Sequence, residues 1–248
     1  MGELNGRVAI VTGSATGSGA AIANNLAEKG ARICVNYSRS KERAESTLRD
    51  ILDFGVEATI FQADVGNEQS VISMIDHVMD RFGQIDILVN NAGMTHFIPQ
   101  NDLGSMTDLK WDQIMQVNLK GAFYASKAAM PQLVKSSVGS IVNISSVAGL
   151  NGSGSSIAYA ASKAGLISLT KSLAREFAPE VRVNAVAPGV ILTRWVEGKD
   201  KFIDDYVDKT LLKRACTADD IGHAVVYLSE ADTVTGTVMV LDSGLTLS

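Results

Sequence analysis

Seven short apolar runs punctuate the chain, at 8–12, 32–36, 58–61, 87–90, 140–144, 181–185 and 238–241. Most of their residues are β-branched, and several are apolar at nearly every position rather than at alternate ones. A strand buried on one face alternates; a strand buried on both does not. Longer amphipathic stretches separate the runs, such as 20–29 and 40–54, the second opened by Ser40 as a candidate cap. Strands alternating with helices of this length predict a mainly parallel sheet with helices on both faces. Right-handed crossovers wind such a sheet in two directions. The expected fold class is therefore α/β, doubly wound, with seven strands.

Composition adds few constraints but useful exclusions. Of 248 residues, 46% are hydrophobic, enough for a large core. The net charge is −5 and no long basic run occurs, which argues against a nucleic-acid surface. No long uncharged apolar stretch suggests a membrane span, and the first residues lack a leader pattern. The two cysteines, Cys34 and Cys216, form no CxxC pair. A reducing, cytoplasmic setting is expected, with Cys34 a small core residue. No linker or repeat divides the chain, so 1–248 reads as one domain. The charged, aromatic segment 192–212 breaks the rhythm, as a substrate lid would.

Two local patterns carry chemistry. After the first run comes Thr12-Gly-Ser-Ala-Thr-Gly-Ser-Gly19. Glycines at 13, 17 and 19 permit positive φ and let backbone amides approach a pyrophosphate. The helix start that follows adds the positive end of its dipole. Gly13, Ser14, Thr16, Gly17, Ser18 and Gly19 are the expected cradle. The loop lacks the Gly-Lys-Ser/Thr ending of a triphosphate loop, so an ATPase is not indicated. The second pattern is Tyr159-Ala-Ala-Ser-Lys163. This spacing puts both side chains on one helix face, where an ammonium would lower the phenol's pKa from about 10 toward neutrality. Tyr159 would then be a usable acid or base. Taken alone, the bare spacing is better read as chance on a solvated helix.

Together the glycine loop, Asn90-Asn91-Ala92-Gly93, Ser146 and the Tyr159/Lys163 pair resemble the short-chain dehydrogenase/reductase family. The resemblance runs the length of the chain, with Asp64-Val65, Asn118 and Pro188-Gly189 also in order. It implies a Rossmann-like fold and an NAD(P)(H)-dependent oxidoreductase that interconverts a ketone and a secondary alcohol by hydride transfer. The catalytic set it implies is Asn118, Ser146, Tyr159 and Lys163. Tyr159 would exchange a proton with the reacting oxygen and Ser146 would hydrogen-bond it. Lys163 would tune Tyr159 and hold the nicotinamide ribose, and Asn118, in the fourth helix, would anchor a water that relays protons to Lys163. Ser146 is preferred to Ser145 because the family places this serine thirteen residues before the tyrosine. Asp64 and Val65 would flank the adenine, and Asn91, Ala92 and Gly93 would line the cleft. Pro188, Gly189, Val190, Ile191 and Thr193 would hold the carboxamide. No metal site is expected, since His77, His96 and His223 show no ligand spacing.

The second run ends Asn36-Tyr37-Ser38-Arg39. NAD enzymes usually carry an acid here for the ribose hydroxyls. Tyr37 stands in its place, and Arg39 with Ser38 can meet a 2′-phosphate. NADP(H) is favoured, with NAD(H) possible; against it, Thr16 stands where many NADP-preferring members carry a basic residue. The substrate is a small-molecule carbonyl or alcohol. The chain is closest in flavour to 3-oxoacyl-acyl-carrier-protein reductases, whose acyl thioester is carrier-bound, and 36–41 also looks like bacterial glucose dehydrogenases. A non-catalytic nucleotide sensor is the rival from another class. Family members are commonly homotetramers, although Ser243 replaces a usual glycine near the C-terminal contact.

Overall fold

A computed structural model describes residues 4–247. The first three residues, part of the stretch read as lacking a leader, lie outside the described residues. The strands are β1 (Val8–Val11), β2 (Arg32–Tyr37), β3 (Ala58–Gln62), β4 (Ile87–Asn90), β5 (Gly139–Ile144), β6 (Val181–Pro188) and β7 (Val238–Leu241). All pair in parallel in the order β3-β2-β1-β4-β5-β6-β7. The helices are α1 (Gly17–Glu28), α2 (Lys41–Leu52), α3 (Glu68–Phe82), α4 (Asp108–Met115), α5 (Gly121–Leu133), α6 (Ala148–Asn151), α7 (Ile157–Phe177), α8 (Asp200–Val207) and α9 (Ala218–Glu230).

The gap-free apolar strands are explained by two cores, one on each sheet face. Ala9, Val11, Ile33, Val35, Ile87 and Val89 point into a core shared with α1, α2 and α9. Their neighbours Val8, Ile10, Cys34 and Leu88 point into the other, shared with α3, α5 and α7. Each strand thus obeys the two-residue alternation, but both sides are apolar. Cys34 is a core residue as expected, and burial pushes its thiol up to about 12, leaving it unreactive at neutral pH.

Several boundaries differ from the sequence reading. β1 stops at Val11, which frees Thr12 to serve the loop. α1 begins at Gly17, so the last glycines of the loop form its first turn. β2 runs through Tyr37, which carries that ring into the core on the α1/α2 side. Ser40 precedes α2 but makes no side-chain cap. Between α4 and α5 the helix is not regular: Gln116–Lys120 forms a π-helical turn, closed by Gly121 N–H donating to the Gln116 carbonyl. Ser243 adopts φ +55, a left-handed conformation that glycine holds without strain.

Winding reverses between β1 and β4, which are direct neighbours. Strands leave in opposite directions on either side, so their connections diverge and a crevice opens beyond their carboxyl ends. The segment after β6 hangs over that crevice. It comprises a 3-10 turn (Arg194–Val196) and α8, whose only buried side chain is Tyr206. Tyr206 Oη donates to the Asp242 carbonyl at 3.3 Å, and Gly189 makes room for it, because a Cβ there would lie 1.8 Å from that oxygen.

Candidate active site

The crevice is held open by polar side chains that fasten the loops to one another. Asn36, at the end of β2, accepts from Gly13 N at 3.0 Å and donates to the Ala63 carbonyl at 3.1 Å. Thr12 Oγ1 accepts from the amides of Asn91 and Ala92, both at 3.0 Å. Asn91 donates to the carbonyls of Thr12 (2.9 Å) and Gly13 (3.2 Å) and accepts from Ser18 Oγ at 3.0 Å. Gly13 and Gly17 have φ of +63 and +59. A Cβ on Gly13 would meet Ala92 Cα at 2.9 Å, and one on Gly19 would meet the Gly13 carbonyl at 2.4 Å. Glycine is required at both for the loop to lie this close to the β4 turn.

Ser14 lies deeper in the loop than its neighbours. Its side chain is fully buried; Oγ donates to the Val11 carbonyl at 2.6 Å and accepts from Asn36 N at 3.0 Å. Its amide is taken by the Asn36 carbonyl at 2.9 Å. With its amide and hydroxyl both donating inward, it braces the loop. Tyr37 is likewise buried, while Ser38 and Arg39 are exposed at the lip. Asp64 is exposed, with Oδ1 accepting from Gly66 N at 2.9 Å in a tight turn. Val65 is buried, and a Cβ on Gly121 would lie 2.9 Å from it.

On the other side of the crevice, α7 begins at the Ser156 cap, which accepts from Tyr159 N. Tyr159 and Lys163 share one face of α7, with Nζ 5.7 Å from the ring centroid. Ser146, just past β5, stands by the phenol and favours its ionised form, while its Oγ donates to the Pro188 carbonyl at 3.5 Å. Its Oγ also accepts from Ala148 N at 3.1 Å. Ser145 instead packs at the strand end, donating to the Lys163 carbonyl at 2.9 Å. Lys163 is 3% exposed and donates to the Ile144 carbonyl at 2.7 Å. A Cβ on Gly93 would stand 3.7 Å from Nζ, so the missing side chain there leaves the amine open to the crevice. Asn118 lies in the π turn, not a regular helix. Its amide accepts from Met94 N at 2.8 Å and donates to the Met94 carbonyl and Ser162 Oγ, each at 3.0 Å. Through Met94 the side chain latches the loop after Gly93.

The electrostatics differ from the expected direction. Burial in the apolar wall pushes the Tyr159 phenol up to about 12, and the Ser146 hydroxyl only partly offsets this. Burial also holds Lys163 down to about 8. Lysine desolvation therefore weakens the very charge that was to lower the phenol.

Pro188 ends β6, and its carbonyl accepts from Val147 N at 2.9 Å. Val190 accepts from Cys216 N at 3.0 Å, and Ile191 accepts from Thr193 N at 2.8 Å. Thr193 reaches the glycine loop, with its side chain 3.6 Å from where a Cβ on Gly17 would be. Trp195 sets its edge against the Tyr159 ring, centroids 6.1 Å apart. Asn36, Thr12 and Ser162 were not foreseen as site residues. The signal for Asn36 was a lone amide in an apolar strand.

The donor set suits a dinucleotide: a glycine cradle at a helix start with no acid in its first turn, and a buried amine opposite a side-chain-free glycine. Among the described residues no group of His, Cys, Asp and Glu could hold a metal, and no helix is long and apolar enough to cross a membrane.

Comparison with known proteins agrees. Residues 7–203 match the model of the short chain dehydrogenase family. A granaticin polyketide synthase protein of Streptomyces violaceoruber, provisionally named ketoacyl reductase 2, is 42% identical over 240 residues, covering 96% of this chain and 95% of that one. The 3-oxoacyl-acyl-carrier-protein reductase FabG of Staphylococcus aureus is 39% identical over 241 residues, 96% and 97% of the two chains. Among solved structures, the aldohexose dehydrogenase of Thermoplasma acidophilum superposes with a TM-score of 0.89 at 33% identity, over 99% of this chain and 96% of that one. The chain belongs to the short-chain dehydrogenase/reductase family and is an NAD(P)-dependent oxidoreductase acting between carbonyl and alcohol.

Proposed function

We propose that this enzyme is an NADPH-preferring reductase of 3-oxoacyl thioesters, with the substrate delivered on a carrier and the subunits assembled as a homotetramer. The observation that carries the reaction is the Tyr159 phenol set beside both the Ser146 hydroxyl and the buried Lys163 amine, with Nζ 5.7 Å from its ring. A bound nicotinamide supplies the hydride that forms the new C–H bond. Tyr159 gives its hydroxyl proton to the carbonyl oxygen, completing the alcohol. Ser146 donates a hydrogen bond to the same oxygen as its negative charge develops. Lys163, charged at neutral pH, stabilises the phenolate left behind and is placed to hold the ribose. Asn118 fixes the Met94 loop and thereby the floor of the crevice.

The NADPH preference rests on the end of β2, where no carboxylate opposes a 2′-phosphate and Ser38 and Arg39 stand exposed. The acyl substrate is supported by the aromatic side chain beside Tyr159, where the Trp195 ring lies edge-on with its centroid 6.1 Å away. The segment 192–212, carrying Trp195, serves as the lid. A sugar dehydrogenase is the second reading, supported by the likeness to the aldohexose enzyme.

Turnover of NADPH and of NADH with 3-oxoacyl thioesters, simple ketones and, in reverse, aldoses tests these readings together. The highest kcat/KM is expected with NADPH and a 3-oxoacyl thioester. A clear preference for an aldose, or for NADH, overturns the corresponding part. Binding without turnover on any substrate points to a sensor. Tyr159→Phe, which loses only the hydroxyl, should reduce kcat by at least about 10²-fold with cofactor binding retained.

A further inference from the structure

One cation in the crevice has no place in the assignment above. Arg194, in the 3-10 turn after β6, reaches across to the glycine loop, where Nη2 donates to Thr16 Oγ1 at 2.7 Å. Among the described residues no carboxylate lies within ion-pair distance of it. Thr16 is the N-cap residue of α1, a position whose hydroxyl ordinarily accepts from the first turn. Here it makes no such cap, and α1 has no acidic residue in its first turn. The start of α1 therefore joins uncapped amides, a positive dipole end and an unpaired guanidinium on one spot. Like charges gathered this way cost free energy unless an anion comes between them.

We infer that Arg194 is a ligand of the cofactor's diphosphate, supplied by the lid segment instead of the glycine loop. The inference rests on the nicotinamide-dependent activity of the family. The guanidinium offers a planar fork to phosphate oxygens, and its partner Thr16 lies on the cradle itself. The next residue, Trp195, touches the Tyr159 ring. Adjacent residues of one turn thus bear on the phosphate end and on the reacting end of the crevice.

Dissociation constants of NADPH and NADH, measured by cofactor fluorescence with the intact enzyme, test this without turnover. Arg194 is solvent-exposed and makes its side-chain bond to Thr16 alone, so Arg194→Ala should fold normally, checked by its thermal transition. The expected result is a loss of about tenfold or more for both dinucleotides alike, as for a charge-assisted hydrogen bond. Arg194→Lys should recover part of it, and the salt dependence of binding should flatten in Arg194→Ala. Unchanged affinities overturn the inference. A loss confined to NADPH also overturns it, because that would put Arg194 on the 2′-phosphate. Failure of the unaltered enzyme to bind either dinucleotide would instead refute the nicotinamide reading on which the inference stands.

Discussion

At the scale of single residues, the Tyr159/Lys163 pair is governed by burial more than by mutual attraction. Lys163 is 3% exposed, and burial holds its pKa down to about 8, below the usual 10.5 of a lysine. Tyr159 stays protonated to about 12. The proton donor is therefore loaded throughout the neutral range, and the group whose charge changes there is the lysine. Above about 8 the amine is neutral and no longer stabilises a departing proton's phenolate. Reduction should accordingly fall on the alkaline side with an apparent midpoint near 8, read from kcat/KM against pH at saturating NADPH. Lys163→Met should remove that limb and lower kcat by about 10²-fold or more. A limb unchanged in the variant would assign the titration elsewhere. The same shifts set the sign for stability. Because the folded lysine binds fewer protons than the unfolded one between 8 and 10.5, stability rises with pH across that window. The tyrosine acts oppositely, holding its proton in the folded state, so stability is lost from 10 toward 12.

At the scale of elements, the catalytic pair depends on how closely the short helix α6 lies on α7. Gly149 makes that contact: a Cβ there would stand 2.6 Å from the Lys163 carbonyl carbon and 2.8 Å from Ala164 N. These are backbone atoms in the middle of a helix, so they cannot swing aside. Gly149→Ala should push α6 away from α7, separating Ser146 from Tyr159, and should destabilise the fold by about 1–3 kcal/mol. Denaturant titration and kcat together check this; full stability with full activity would show the contact to be slack. Such packing was not legible in the sequence, where Gly149 is one glycine among many. The strands were legible, because β-branched runs such as Ile87–Asn90 are apolar on both faces whatever surrounds them. The inward turn of the Ser14 hydroxyl was not legible, since composition cannot say which way a loop hydroxyl faces. The π turn was missed for a related reason: nothing local in Gln116–Lys120 demands it, and it exists where Asn118 grips the Met94 backbone across the crevice.

At the scale of the whole molecule, two of the groups of exposed apolar side chains among the described residues suit contacts between copies of the chain. Along α4 and α5, Leu109, Trp111 and Phe123 are exposed by 68%, 37% and 44%, with Ile157 of α7 nearby in kind at 38%. Separately, β7 is one of the two edge strands of the sheet, with Val240 exposed by 42% and Leu247 beyond it by 83%. Exposed apolar side chains on a single helix pair would suit one isologous contact and hence a dimer. A second patch, on a sheet edge that also has unpaired backbone groups, calls for a second contact. Two different isologous contacts on one chain close into a tetramer with dihedral symmetry. Light scattering should therefore give a mass four times that of the 26.2 kDa chain. The two patches should also separate by mutation. Phe123→Glu places a charge on the α5 face and Val240→Glu places one on the β7 edge, and each should leave dimers held by the other contact. A monomeric parent would rule the arrangement out. A tetramer that survives both charges would place its contacts elsewhere on the surface.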